Sequence, residues 1–297
     1  MSSVSSVVCT QLSSLAVIEA LSGGLTLVSV ARQTGALTIW AMRIQGRFLA
    51  EPAPAGSGDV VALPAKESRH LLQSRRAAPG DRVELFDGRG RAWRAELVGT
   101  EGEQALCRVL EELPAGAAAG WRLTLAVAVP KGKRMSWLVE KCAELGVAEL
   151  WPAQWSRSPR SGSENAVERW RRLAEAAAKQ SRQASLMQVA GPMTAGEIAA
   201  RAGEFGRVLV LELRRGEPLG RALAGLPAGE RVLALVGPEG GLTAGDLAAI
   251  ESAAGAGRLR RLTLGTNVLR VETAAVALAA GLLCEGLSLA APRPALD

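Results

Sequence analysis

The feature that most constrains this chain is the rhythm of its last two thirds, where uncharged apolar runs alternate with longer helical stretches. Leu123–Val129 is a continuous apolar run, as expected of a parallel strand covered on both faces. Met135–Leu145 has helical spacing, with Gly146 placed to end it. Val147–Pro152 reads as a strand, and Glu164–Leu186 as one long helix carrying much positive charge. Val208–Leu213 and Val232–Val236 are further apolar strands, and Leu242–Ala254 is helical. Arg261–Leu264 ends a strand, and Val271–Leu283 is an Ala-rich helix. This alternation predicts an α/β domain built on a parallel sheet.

The segment before it has another texture. Arg82–Phe86 and Ala92–Val98 alternate apolar with polar residues around the turn residues Asp87, Gly88 and Gly90. Pro64–Arg76 reads as one helix, with Pro64 near its first turn and Pro79-Gly80 beyond its end. Residues 42–114 therefore form a small β-rich domain, and the run of small residues from Pro114 to Gly120 is the linker to the α/β domain at 120–290. Residues 1–41 are Ser-rich and nearly uncharged. Their apolar stretch, Leu12–Val30, is interrupted by Glu19, Ser22, Gly23 and Gly24 and preceded by no basic residue. It fits neither a signal peptide nor a membrane span. The expectation is that Met42 is the natural start and that residues 1–41 are an extension without a role.

Composition removes several classes of chemistry. The chain holds 3 Phe, 7 Trp and no Tyr, too few for the rows of stacked aromatics that single-strand binders use. Cys9, Cys107, Cys142 and Cys284 form no Cys-x-x-Cys pair, so a zinc site is not expected, and scattered thiols suit a reducing cytoplasm. His70 is the one histidine, in an ordinary helical stretch, which argues against a Ser-His-Asp or Cys-His mechanism. Residues 119–192 hold 12 Lys and Arg against 6 Asp and Glu, which equals the whole net charge of +6. Charge so localised is the footprint of a polyanionic partner, or else a solvated basic face.

Two strand ends stand out, and ligands in open α/β sheets bind beyond the carboxyl ends of strands. Val232–Val236 runs into Gly237-Pro238-Glu239-Gly240-Gly241. Glycines permit close approach to a ligand, and Pro238 stiffens the loop, although a tight strand-to-helix turn would ask for much the same residues. The spacing is not that of a dinucleotide fingerprint. If the loop touches a ligand, Gly240→Val should weaken binding. The second is Leu264-Gly265-Thr266-Asn267-Val268-Leu269-Arg270-Val271-Glu272-Thr273-Ala274, a strand end, an irregular loop and a helix start. Arg270 and Glu272 fit either a plain helix start or a catalytic role.

These two loops, with Pro130-Lys-Gly-Lys-Arg-Met135, Glu144–Val147 and Lys179-Gln180-Ser181-Arg182, resemble the ribosomal RNA small subunit methyltransferase E family of the SPOUT superfamily. The resemblance reaches the first domain through Arg69-His70-Leu71 and Leu85–Gly88, and covers roughly residues 42–285. It implies a PUA-like first domain and an α/β domain whose C-terminal part forms a deep trefoil knot, an exception to the usual rule. It implies a homodimer that methylates N3 of one uridine in 16S ribosomal RNA of the small subunit, without membrane or metal. S-adenosylmethionine would lie near Gly237, Glu239, Gly240, Gly241, Leu264, Gly265 and Leu269. Attack by a ring nitrogen on a sulfonium methyl needs alignment and loss of the N3 proton, not a cysteine nucleophile. Arg182, Arg270 and Arg157 are the candidates for positioning RNA or offsetting its charge, and Glu272 or Glu239 for the proton. Arg69, His70, Lys131, Lys133, Arg134, Arg157, Gln180 and Arg182 would face RNA. The alternatives are a SPOUT enzyme acting on a ribose hydroxyl or another base, and a silent RNA-binding assembly factor.

The chain departs from the family's pattern at four places. Ser156 stands at a position often acidic, Lys179 where a glutamate is common, Gln183 where an arginine is, and Met187 near a frequent proline. All four lie in the segment expected to face RNA.

Overall fold

The computed structural model describes residues 44–114, 120–158, 163–213 and 215–289, so the expectation for residues 1–41 lies outside the described residues. The first domain is a five-stranded sheet of β1 (Ile44–Leu49), β2 (Val60–Ala62), β3 (Arg82–Phe86), β4 (Ala92–Glu101) and β5 (Gln104–Glu112), ordered β1-β3-β4-β5-β2. β1 runs parallel to β3, and the other pairs are antiparallel. Between β2 and β3 lies α1 (Ala65–Arg69), continued by a wider π-type turn over His70–Ser74. Its core draws only on residues 48–109, with Phe48, Leu71, Leu85 and Trp93 fully buried.

The second domain is the expected parallel sheet. Its strands are β6 (Arg122–Ala128), β7 (Glu149–Gln154), the short β8 (Gln188–Val189) and β9 (Met193–Thr194), then β10 (Arg207–Leu211), β11 (Arg231–Val236) and β12 (Leu259–Leu262). The order is β12-β10-β11-β6-β7-β8, with β9 also on β7. The helices are α2 (Arg134–Glu144), α3 (Glu164–Gln180), α4 (Ala195–Arg201), α5 (Leu219–Leu223), α6 (Ala244–Ala254) and α7 (Val271–Leu289). A separate core, drawn from residues 121–282, holds the fully buried Leu125, Trp151, Phe205, Leu233 and Leu235. Such strands are continuous apolar runs because helices cover both faces of the sheet. Cys107 and Cys142 are buried in the two cores, and burial pushes both thiols up to about 12. Among the described residues no helix is long and apolar enough to cross a membrane, and no cluster of metal-ligating side chains occurs.

One element differs from its expected bounds in a way that matters. The helix expected over Glu164–Leu186 ends at Gln180. Ser181 N–H donates to Ala177 O at 2.9 Å and Gln183 N–H to Ala178 O at 3.0 Å, and Arg182 between them takes φ 57°. This is the geometry that usually ends a helix on glycine. Beyond the bend the chain joins the first domain: Gly90 N–H donates to Ala184 O at 3.1 Å, and Leu186 N–H to Gly88 O at 2.8 Å. Gly88 sits at φ 70°, which strains any side chain, and a Cβ there would press on Leu186 Cδ1 at 2.9 Å, so glycine favours the close approach of the two segments.

Candidate active site

The carboxyl ends of β10, β11 and β12 converge on a cleft of about 200 Å³. One wall is Leu211–Leu213 and another the loop Val236–Leu242, of which Gly237, Pro238, Glu239 and Gly241 face the space. The third is Thr263–Leu269, with Leu264, Gly265, Asn267 and Leu269, and the first turn of α7 closes the floor with Val271 and Ala274. β10 lies between β11 and β12, so the chain skips a strand in passing from β11 to β12. A crossing of this kind leaves a crevice at the strand ends, where ligands bind in open sheets.

The backbone explains where glycine is needed. Gly241 has φ 69° and Gly265 φ 116°, conformations that a side chain strains. A Cβ on Gly237 would press on the main chain of Leu242 at 3.2 Å. Gly240 is different: it does not line the cleft, and a Cβ there would meet only Arg157 Cδ at an ordinary 3.5 Å. Of the glycines expected near the cofactor, the backbone itself thus asks for 237, 241 and 265, and not for 240. Thr243 and Asp246 cap α6 reciprocally beyond the loop, with Thr243 N–H and Oγ1 donating to Asp246 Oδ2 at 3.0 and 2.8 Å.

Among the described residues that line the cleft, the charged groups are Glu212 and Glu239, and none is a lysine or arginine. Glu212 is paired with Arg261, while Glu239 is exposed at the lip. Glu272 lies beside the cleft, turned from the α7 floor toward α2, and is 6 % exposed. Its Oε1 is 3.4 Å from Arg134 Nη1, and its Oε2 is buried without a hydrogen-bond partner. Arg134, expected to face RNA, is therefore joined to Glu272. Arg270, in the loop before α7, is exposed.

The other expected RNA contacts are also at the surface. Arg69 and His70 are exposed, the His70 ring edge-on to Phe48 at 5.6 Å. Lys131 and Lys133 are exposed before α2, and Gln180 and Arg182 at the bend after α3. Arg157 Nη1 donates to Gly240 O at 2.7 Å, tying it to the glycine loop. Lys179 crosses to the first domain: its Nζ is 2.6 Å from Glu67 Oε1, on a residue 3 % exposed, and 2.8 Å from Glu175 Oε1. Burial raises the Glu175 carboxyl, but hydrogen bonds from Lys179 and Lys66 outweigh it and hold the group below the ordinary carboxylate range. Sequence reasoning missed the Leu211–Leu213 wall, which the strand-end rule could have supplied. It also missed Arg47 and Glu67, whose partners lie too far along the chain for any local signal, and Asp246, whose Thr243-x-x-Asp spacing is a local capping signal but whose Ser156 partner is 90 residues away.

The parallel sheet with a glycine-walled cleft at its strand ends, joined to a small β-rich domain, defines a two-domain α/β protein with a ligand site at its strand ends, and the family matches say of which class. Residues 118–283 match the family model for an RNA methyltransferase domain, and residues 63–110 that for an RNA methyltransferase PUA domain. The chain belongs to the ribosomal RNA small subunit methyltransferase E family. It is 33% identical over 218 residues to the Synechocystis member, spanning 72% of this chain and 69% of that one. It is 34% identical over 236 residues to the Mycobacterium bovis member, spanning 74% and 84%. Among solved structures, the Neisseria gonorrhoeae enzyme bound to S-adenosyl methionine superposes with TM-score 0.70 at 28% identity, over 80% of this chain and 97% of that one.

Proposed function

We propose that this chain transfers a methyl group from S-adenosylmethionine to N3 of a uridine in 16S ribosomal RNA. The observation that carries the reading is the cleft at the ends of β10, β11 and β12, in a chain of a family whose Neisseria gonorrhoeae member holds that cofactor. The residues present fit the group. A sulfonium and an amino acid need apolar walls, main-chain partners and no excess of cations, and the cleft offers leucines, glycines and two carboxylates. A dinucleotide pyrophosphate would ask for the opposite charge. Leu264 and Leu269 would hold the cofactor by apolar contact, Gly237, Gly241 and Gly265 through the main chain, and Glu239 would face its positive charge.

S-adenosylmethionine supplies an electrophilic methyl group on a sulfonium sulfur. N3 of uracil carries a proton at neutral pH, so the protein has to accept it or stabilise the anion left behind. Glu272 is the proposed acceptor, on the strength of its unpartnered Oε2, with Arg134 steadying its other oxygen. Glu239 is the rival, because it is the one of the two that lines the cleft. Arg270 and Arg182 would offset developing charge. Arg69, His70, Lys131, Lys133 and Gln180 would hold the RNA, the first two on a domain of residues 42–114 and the rest on one of residues 120–290.

The proposal extends to the trefoil knot, to a homodimer sharing its active sites, and to work in the cytoplasm on the small subunit. Light scattering at twice the 30.9 kDa chain mass would support the dimer. The central test is incubation with labelled S-adenosylmethionine and small subunits lacking the modification, followed by nucleoside analysis. Label in 3-methyluridine is expected. Label in another nucleoside would move the activity to a different SPOUT enzyme, and cofactor binding without label would favour an assembly factor. Single-turnover rates of Glu272→Gln and Glu239→Gln separate the two carboxylates: loss of rate at unchanged cofactor affinity marks the acceptor.

A further inference from the structure

The turn after β7 grips the glycine loop at its entry, its middle and its exit. Trp155 Nε1 donates to Val236 O, at the end of β11, at 3.2 Å. Arg157 Nη1 donates to Gly240 O at 2.7 Å. Ser156 Oγ donates to Asp246 Oδ1 at 2.7 Å, reaching the same carboxylate that caps α6. The turn is itself closed, since Trp155 N–H donates to Ser158 Oγ at 3.1 Å and Ser158 N–H to Trp155 O at 2.8 Å. Trp155 is 2 % exposed and anchors the turn in the core.

The middle grip falls on one peptide plane. Its carbonyl, that of Gly240, accepts from Arg157, and its amide, that of Gly241, donates to Pro238 O at 2.8 Å. A peptide between two glycines is otherwise the least constrained unit a loop can contain, because neither residue has a Cβ to restrict it. Fixing both ends of that plane sets the approach to Gly241 and its φ of 69°, and with it the wall made by Gly237, Pro238, Glu239 and Gly241. A wall ordered before the ligand arrives spares the ligand the cost of ordering it.

We infer that Arg157 is a positioning residue for the cofactor cleft, acting through the peptide between Gly240 and Gly241, rather than a contact to RNA. The inference rests on reading the cleft as the site of S-adenosylmethionine. Arg157 is exposed, so its packing contributes little to the fold and its loss should register at the loop. Ser156 belongs to the same device: its hydroxyl meets the buried Asp246, where a second carboxylate would be repelled.

The test is calorimetric titration of the full-length wild type, Arg157→Ala and Arg157→Lys with S-adenosylmethionine, together with steady-state methyl transfer to small subunits and a melting curve for each. A charge-assisted hydrogen bond of this kind predicts about a tenfold rise in Kd for Arg157→Ala, with Arg157→Lys in between because it keeps a charged donor. KM for the cofactor should rise in step, while kcat at saturation, KM for RNA and the melting temperature stay near wild type. An unchanged cofactor Kd with a raised KM for RNA would overturn the inference and make Arg157 an RNA contact. If Arg157→Ala melts early, Arg157→Gln, which keeps the stem over the loop, decides by the same readouts. A wild type that fails to bind S-adenosylmethionine would instead overturn the reading of the cleft, so the two failures are distinguishable.

Discussion

Arg47 Nη1, on β1, donates a 2.8 Å hydrogen bond to the main-chain carbonyl of Arg182, at the bend after α3. Arg47 is half-buried, 3.5 Å from Glu84 and over the Phe86 ring at 5.1 Å. Burial lowers its pKa, the nearby Glu84 opposes that, and Arg182 adds to the lowering. The first domain thus reaches across to hold the one backbone unit of this bend that sits in a left-handed conformation.

That conformation is cheap for glycine and costs another residue roughly 1 kcal/mol. Arg182→Gly should therefore raise the stability measured in urea by about 1 kcal/mol while lowering RNA methylation at unchanged cofactor affinity. Retention of full activity by the stabilised variant would show that the arginine is kept at 182 for some other reason.

Lys179 is the cation on the buried Glu67. Removing one partner of a buried pair leaves an uncompensated charge, and Lys179→Met should destabilise the protein by about 3 kcal/mol. Glu67→Gln together with Lys179→Met should recover much of the loss, because no bare charge then remains. Thermal melts of the two single variants and the double variant form the cycle; additive losses would mean the pair is not coupled.

The glycine positions predict an order of effects on the cleft. Gly241→Ala and Gly265→Ala force a Cβ into φ 69° and 116° and should each weaken cofactor binding substantially. Gly240→Ala meets only ordinary contact with Arg157 and should cost less than either. Dissociation constants that rank Gly240→Ala as the worst of the three would contradict the geometry.

Asp246 gives a pH prediction. Burial raises its carboxyl, but the Ser156 hydroxyl and the Thr243 N–H and hydroxyl outweigh burial and hold it below the ordinary range. A depressed folded value means that its stabilisation is complete above the unfolded value, about pH 3.9, and is lost as pH falls through the folded one. Wild-type stability should lose this contribution only below about pH 4, and Asp246→Asn should show a shallower acid limb. Parallel acid limbs would show that the carboxylate is not depressed.

The strands of the second sheet were legible because a doubly covered strand leaves a local mark: β11 was expected at 232–236 and lies at 231–236. The end of α3 left none. No glycine or proline stands at 181–183, and the helix stops because the next residues pair with the turn at 88–90. α4 and α5 are too short to show helical spacing. At the cleft, clustered glycines advertised two walls. The partners of Arg157 and Lys179 lie 83 and 112 residues away along the chain, beyond any periodicity. The role of Lys179 becomes visible only once Glu67 is seen beside it.

The first core is complete by Val109, yet the turn at 88–90 and the carboxylate of Glu67 find their partners only at residues 179–186. A chain emerging from the ribosome closes its amino-terminal domain first. That domain must then wait, with an unneutralised acid and an open turn on one side, until the end of α3 has been synthesised. Its final docking is thus timed by translation of the methyltransferase domain, and a transcript cut short before residue 179 would yield a folded but unfinished surface.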